Sequence, residues 1–82
     1  MVIVEETDKF SEIYQKIKDE LLKLKIKKQI KKIILNPEIG KPMRNFRKGT
    51  RELYINPFRL SYFYFKEQDK IILLDFYHKT KQ

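Results

Sequence analysis

Residues 52–77 read ELYINPFRLSYFYFKEQDKIILLDFY. Three strands are predicted there. Residues 52–56 alternate, with Leu53 and Ile55 on one side. Residues 58–66, FRLSYFYFK, are dense in aromatics that suit a pleated, half-buried surface. Residues 71–77, IILLDFY, form a nearly continuous apolar run, as a central strand requires. Asn56-Pro57 and residues 67–70, EQDK, are turn sequences. Consecutive strands with such short links pair antiparallel.

Upstream, residues 36–50, NPEIGKPMRNFRKGT, contain both glycines and two of the three prolines, and a connecting loop is expected. Before it, Phe10, Ile13, Tyr14, Ile17, Leu21 and Leu24 recur at helical steps, as do Ile26, Ile30, Ile33 and Ile34. The two sets do not share a face, so one straight helix would leave a stripe in water. A break near residues 22–26 turns both toward one core, giving a helical hairpin over roughly 8–22 and 25–35. Thr7 or Asp8 can cap its start with a side-chain oxygen. Asn36-Pro37 ends it, because the residue before proline is pushed out of the helical region. Val2-Ile3-Val4 is a short β-branched run that predicts a first strand. The expected fold is α+β: an N-terminal strand and a helical hairpin on one face of a mainly antiparallel sheet of about four strands, in a single domain over residues 1–82.

Composition narrows the function classes. Eighty-two residues are too few for a second domain. No apolar run approaches the roughly 18 to 20 residues of a membrane helix, so no membrane partner is expected. The start, MVIVEETDKF, has neither a basic beginning nor a long apolar stretch, and a cytoplasmic location is expected. Without cysteine there is no disulfide framework, thiolate zinc site or cysteine nucleophile. One histidine makes a metal site improbable, and no glycine-rich phosphate loop occurs, so no cofactor is expected.

Lys and Arg number 19 against 11 acids, a net charge of +8. The excess is local. Residues 1–22 hold three lysines and six acids, residues 23–51 eleven basic groups and the single acid Glu38, and residues 52–82 five basic groups and four acids. Such a basic middle third suits a solvated helix face, and its density favours a polyanion or an acidic protein partner.

Few residues can carry chemistry. His78 follows the last apolar run; it is either a surface residue or a general acid or base, since histidine titrates near neutrality unaided. Arg59, inside an aromatic strand, is either solvent-facing or a phosphate clamp with a planar fork of donors. Lys41, Arg44, Arg47, Lys48 and Arg51 would add phosphate contacts that give affinity without reading sequence. Phe46, Tyr54 and Tyr77 can stack on unpaired bases or belong to the core.

The order of these features resembles the RelE/ParE toxin superfamily. The matching parts are the helical hairpin, Asn36-Pro37 followed by Gly40-Lys41-Pro42, the strand Arg59-Leu60-Ser61-Tyr62, and a terminal strand ending in His78-Lys79. The resemblance covers nearly the whole chain. It implies the toxin of a type II toxin–antitoxin system, neutralised by a cognate RelB-like antitoxin in a hetero-oligomer. Members of the RelE branch are ribosome-dependent endoribonucleases that cut mRNA during translation. Members of the ParE branch share the fold and poison DNA gyrase. A third outcome is a degenerate module that only binds antitoxin.

By this resemblance, Arg59 stabilises charge on the scissile phosphate, Lys79 has a similar role, and His78 assists proton transfer as in YoeB-type members. Arg51 lies near the basic cluster that precedes the arginine strand. The chain also departs from the pattern. Glu52 and Tyr54 stand where RelE proper has two lysines, and Met43 stands where the YoeB type has glutamate. The implied chemistry is metal-independent transesterification, in which the RNA's own 2′-hydroxyl attacks the phosphate and His78 or Glu52 accepts the proton.

Overall fold

In the computed structural model, which describes residues 2–81, the helices begin where side chains cap them. Thr7 is extended, and its hydroxyl oxygen accepts the Phe10 N–H at 3.1 Å, so α1 runs Asp8–Lys16. The same hydroxyl lies 3.1 Å from the carbonyls of Leu73 and Leu74, which ties the cap to the sheet.

The helical break falls at residues 17–19 and not at 22–26. Ile17 turns extended, and the Asp19 carboxylate accepts the N–H groups of Leu21 (3.0 Å) and Leu22 (3.3 Å), starting α2 over Glu20–Leu35. A capping aspartate, with no Gly or Pro, is enough to restart the helix. Leu21 and Leu24 consequently sit on α2 and not on the first helix, and they are 63% and 53% exposed. The inward stripe of α2 is Leu22, Ile26, Ile30 and Ile33, of which Ile26 and Ile33 are fully buried.

Among the described residues the sheet has five strands: β1 Ile3–Glu6, β2 Lys41–Pro42, β3 Thr50–Ile55, β4 Phe58–Phe65 and β5 Lys70–His78. Their order is β1-β5-β4-β3-β2. β1 lies parallel to β5, with Ile3 opposite Lys70, and every other pair is antiparallel. The fold is the expected α+β arrangement with one more strand than predicted. β2 is a two-residue strand inside the segment expected to be all loop; Lys41 pairs with Glu52 and Pro42 with Arg51.

Strand alternation divides the side chains between two faces. Leu60, Tyr62, Leu73 and Phe76 form the face that the helices cover, together with Phe10, Ile26 and Ile33. Glu52, Tyr54, Arg59 and Tyr77 share the other face near the ends of β3, β4 and β5. A register irregularity between Ser61 and Tyr62 places Ser61 opposite Asp75 and Tyr62 opposite Leu73.

The loop before β2 is anchored from inside the core. Tyr62 is fully buried; its hydroxyl donates to the Pro37 carbonyl at 2.7 Å and accepts the Gly40 N–H at 2.9 Å. A Cβ on Gly40 would stand 2.6 Å from that hydroxyl oxygen and 3.0 Å from the Glu52 carbonyl. Only glycine fits there. Burial pushes the Tyr62 phenol above its ordinary 10.0, with Glu38 adding to the rise; the Gly40 N–H and the Arg51 charge act in the opposite direction.

Candidate functional site

The uncovered ends of β3, β4 and β5 open into a cleft of about 1110 Å³. Its floor includes Glu52, Arg59, Ser61, Asp75 and Tyr77. β2 and the loop after it form a rim with Lys41, Arg44 and Phe46, while Ile13, Ile17 and Leu22 line the helical side.

Arg59 is the centre of the polar floor. Its guanidinium lies 4.9 Å above the Tyr54 ring, and Nη1 is 3.6 Å from Glu52 Oε1. Its Nε is buried and has no hydrogen-bond partner. Tyr77 donates its hydroxyl to Glu52 Oε2 at 3.3 Å. The turn at Asn56-Pro57 builds this group, because it fixes Tyr54 opposite Arg59 and Glu52 opposite Ser61. Tyr54, which could have been a core residue, is 54% exposed and serves as a platform for the guanidinium.

His78 leaves the sheet on the other face. It pairs in register with Phe58, whereas Arg59 pairs with Tyr77. Its ring meets Phe58 edge-on at 5.6 Å, and Phe58 stacks on the core residue Phe76 at 4.9 Å. His78 and Arg59 border the cleft from their own sides. His78 Nδ1 is 3.3 Å from the Thr80 N–H, which donates to it, and 2.9 Å from the Thr80 hydroxyl. Accepting at Nδ1 leaves the proton of the neutral ring on Nε2. Lys79 is exposed and borders a smaller hollow of about 280 Å³ together with Tyr54, Pro57 and Arg59.

The basic loop residues divide by task. Lys41 and Arg44 line the cleft. Arg47 does not; its guanidinium lies 4.8 Å from the Phe63 ring and 5.3 Å from the Phe65 ring. Arg51 bonds the carbonyls of Glu38 (3.0 Å) and Gly40 (2.7 Å), holding the loop that Tyr62 anchors. Lys48 is exposed and outside the cleft lining. The sequence reading did not foresee the ion pair of Lys9 with Asp75 at 3.1 Å, which links α1 to the cleft floor. Among the described residues, no group of three or more His, Cys, Asp or Glu is placed to hold a metal ion. No described helix is long and apolar enough to cross a membrane.

Comparison with known proteins adds a family and a fold. The family model described as "ParE toxin of type II toxin-antitoxin system, parDE" matches residues 4–82. No curated protein matches the chain. Among solved structures, a chain of the intact Escherichia coli RelBE toxin–antitoxin complex superposes with a TM-score of 0.83 at 13% identity, over 95% of this chain and 96% of that one. The RelBE2 toxin–antitoxin complex of Mycobacterium tuberculosis gives 0.78 at 22% identity, over 95% and 98%. The archaeal RelE–RelB complex of Pyrococcus horikoshii OT3 gives 0.77 at 10% identity, over 99% and 98%.

Proposed function

Because the chain belongs to the ParE toxin family of type II toxin–antitoxin systems, we propose that it is a toxin that cleaves mRNA on the translating ribosome and is neutralised by an antitoxin in a hetero-oligomer. The observation that carries this reading is Arg59. It is a guanidinium braced on an aromatic ring at the floor of a cleft, with a buried Nε that no neighbour satisfies. Such a fork matches two oxygens of a phosphate diester. Lys41 and Arg44 on the rim would follow the RNA backbone, and Tyr54 and Tyr77 offer ring faces to bases.

The reaction is transesterification. The 2′-hydroxyl gives its proton to Glu52, the 2′-oxygen bonds to phosphorus, the P–O5′ bond breaks, and a 2′,3′-cyclic phosphate and a 5′-hydroxyl end form. Arg59 and Lys79 hold the charge that develops on the phosphate. His78 offers its Nε2–H to the leaving oxygen. The ribosome positions the mRNA, which removes part of the orientational cost. The partner would be an acidic, amphipathic RelB-like helix. That character is supported by the exposed Leu21, Leu24 and Leu35 set among the lysines of α2. All of this chemistry would proceed in the cytoplasm.

The test is induced expression followed by mapping of mRNA 5′ ends, for wild type, Arg59→Ala and His78→Ala. Wild-type cleavage within translated codons is expected, with loss of at least about 100-fold in Arg59→Ala. Unaltered cleavage in both variants would remove the assigned roles. A second reading, inhibition of DNA gyrase, is favoured by the name of the matched family. It predicts blocked supercoiling with intact mRNA in the same cells.

A further inference from the structure

Beside the cleft lies the smaller hollow of about 280 Å³, bounded by Tyr54, Asn56, Pro57, Arg59 and Lys79. Neither the fold nor the proposed reaction uses the side chain of Asn56. An asparagine in a turn ordinarily bonds its own backbone two residues on. This one does not: among the described residues, none bonds the Asn56 side chain. Its amide, an acceptor oxygen beside a donor nitrogen, stands exposed and uncommitted at the wall of the hollow. We infer that the hollow receives the base of a nucleotide adjoining the scissile phosphate, and that Asn56 selects adenine there. This rests on the nuclease reading above.

Three strand ends hold the hollow in shape. β3 and β4 join through Asn56-Pro57, with Ile55 opposite Phe58, and Phe58 in turn stands opposite His78 at the end of β5. The Lys79 N–H donates to the Pro57 carbonyl at 3.0 Å, which pins the chain beyond β5 against the turn. The volume falls just below the roughly 300–1,000 Å³ of pockets for drug-sized ligands, and so suits a single base.

The residues around the hollow divide the work of recognition. Arg59 borders both the cleft and the hollow, so a phosphate held by its guanidinium has a neighbouring base within reach of the smaller space. Tyr54 gives that base a surface. Its ring carries the guanidinium at 4.9 Å, yet the residue is 54% exposed and has area left for stacking. Stacking is indifferent to the identity of the base. Lys79, drawn to the phosphate, adds no choice either. Discrimination falls to Asn56, whose paired donor and acceptor match the N6 and N7 edge of adenine. An unpaired RNA base leaves that edge open.

The test uses the full chain, released from its antitoxin, on ribosomes programmed with mRNAs that carry each of the four bases on either side of the cut. Single-turnover cleavage is compared for wild type, Asn56→Ala and Asn56→Asp. At one of the two positions, wild type should cut adenine about 5- to 150-fold faster than the other bases, the range expected of one bidentate contact. Asn56→Ala should lose that advantage by slowing on adenine alone. Asn56→Asp, which the same turn accepts, offers only acceptors and should shift the preference to cytosine. A wild type that cuts all four bases within about threefold at both positions overturns the inference and leaves the nuclease reading standing. So does an Asn56→Ala or Asn56→Asp variant that keeps the adenine preference. An equal slowing of Asn56→Ala on every base shows that the residue serves the turn, and overturns the inference too. A wild type that cuts none of the templates overturns the nuclease reading and this inference with it.

Discussion

Replacing Tyr62 by Phe should destabilise the protein by about 2 kcal/mol, without a cavity in the core. The ring stays and only one oxygen is lost. That oxygen satisfies two groups, the Gly40 N–H and the Pro37 carbonyl. Gly40 is buried, so its N–H would be left without a partner, at a cost of about 1–3 kcal/mol. Pro37 is half-buried, and water can partly replace the lost donor there. An effect near the middle of that range follows. For a domain of this size, it corresponds to a fall in Tm of about 8–16 °C. Urea unfolding followed by circular dichroism measures the change directly, with the slope m unaltered if the unfolded states match.

A second signature comes from pH. The Tyr62 phenol is raised above 10.0 in the folded state, so the folded protein holds its proton longer than the unfolded chain. Below pH 10 both states are protonated and nothing depends on this group. As pH rises through 10 toward the folded value, the unfolded chain loses the proton first and stability falls. The difference between wild type and Tyr62→Phe should therefore shrink in strongly alkaline solution. A loss below about 0.5 kcal/mol at pH 7, or a constant gap up to pH 11, would show that the anchor is unimportant.

Other substitutions probe the helical break and the notch. Asp19→Ala should cost about 1 kcal/mol by uncapping α2, measurable by the same unfolding; Asp19→Asn should recover most of it. Gly40→Ala should cost about 1–3 kcal/mol through contact with the Tyr62 hydroxyl. Combined with Tyr62→Phe it should be less than additive, since one lesion removes the atom that the other strikes, and a double-mutant cycle reads that coupling.

Periodicity located β3, β4 and β5, because each of those strands fills its apolar positions with its own side chains. It misplaced the break between the helices for a physical reason. Leu21 and Leu24 continue the stripe of α1 on paper, yet the signal that decides is polar and local, the Asp19 carboxylate binding two amides. β2 was missed because two residues hold no period, and only their pairing with Arg51 and Glu52 defines them. In the site, Arg59 was legible as a charge that an aromatic strand would not otherwise contain. The separate tasks of Arg47 and Arg51 were not, since sequence counts their charges and does not show the rings or carbonyls they meet. The partnership of Glu52 and Arg59 follows from the register that Asn56-Pro57 imposes. A turn can be read before the structure, but the burial that gives the pair its force cannot.

The strand order also governs when the cleft can form. β5 lies between β1 and β4, and Ile3 stands opposite Lys70. A growing chain that lacks residues 70–78 has no floor beneath Arg59, no Tyr77 on Glu52 and no strand to hold β1. Pairing across so long a separation comes late and as a unit. A chain that has not yet added β5 therefore lacks both the floor of the cleft and the neighbour of its first strand. The cleft comes into being only when β5 enters the sheet between β1 and β4.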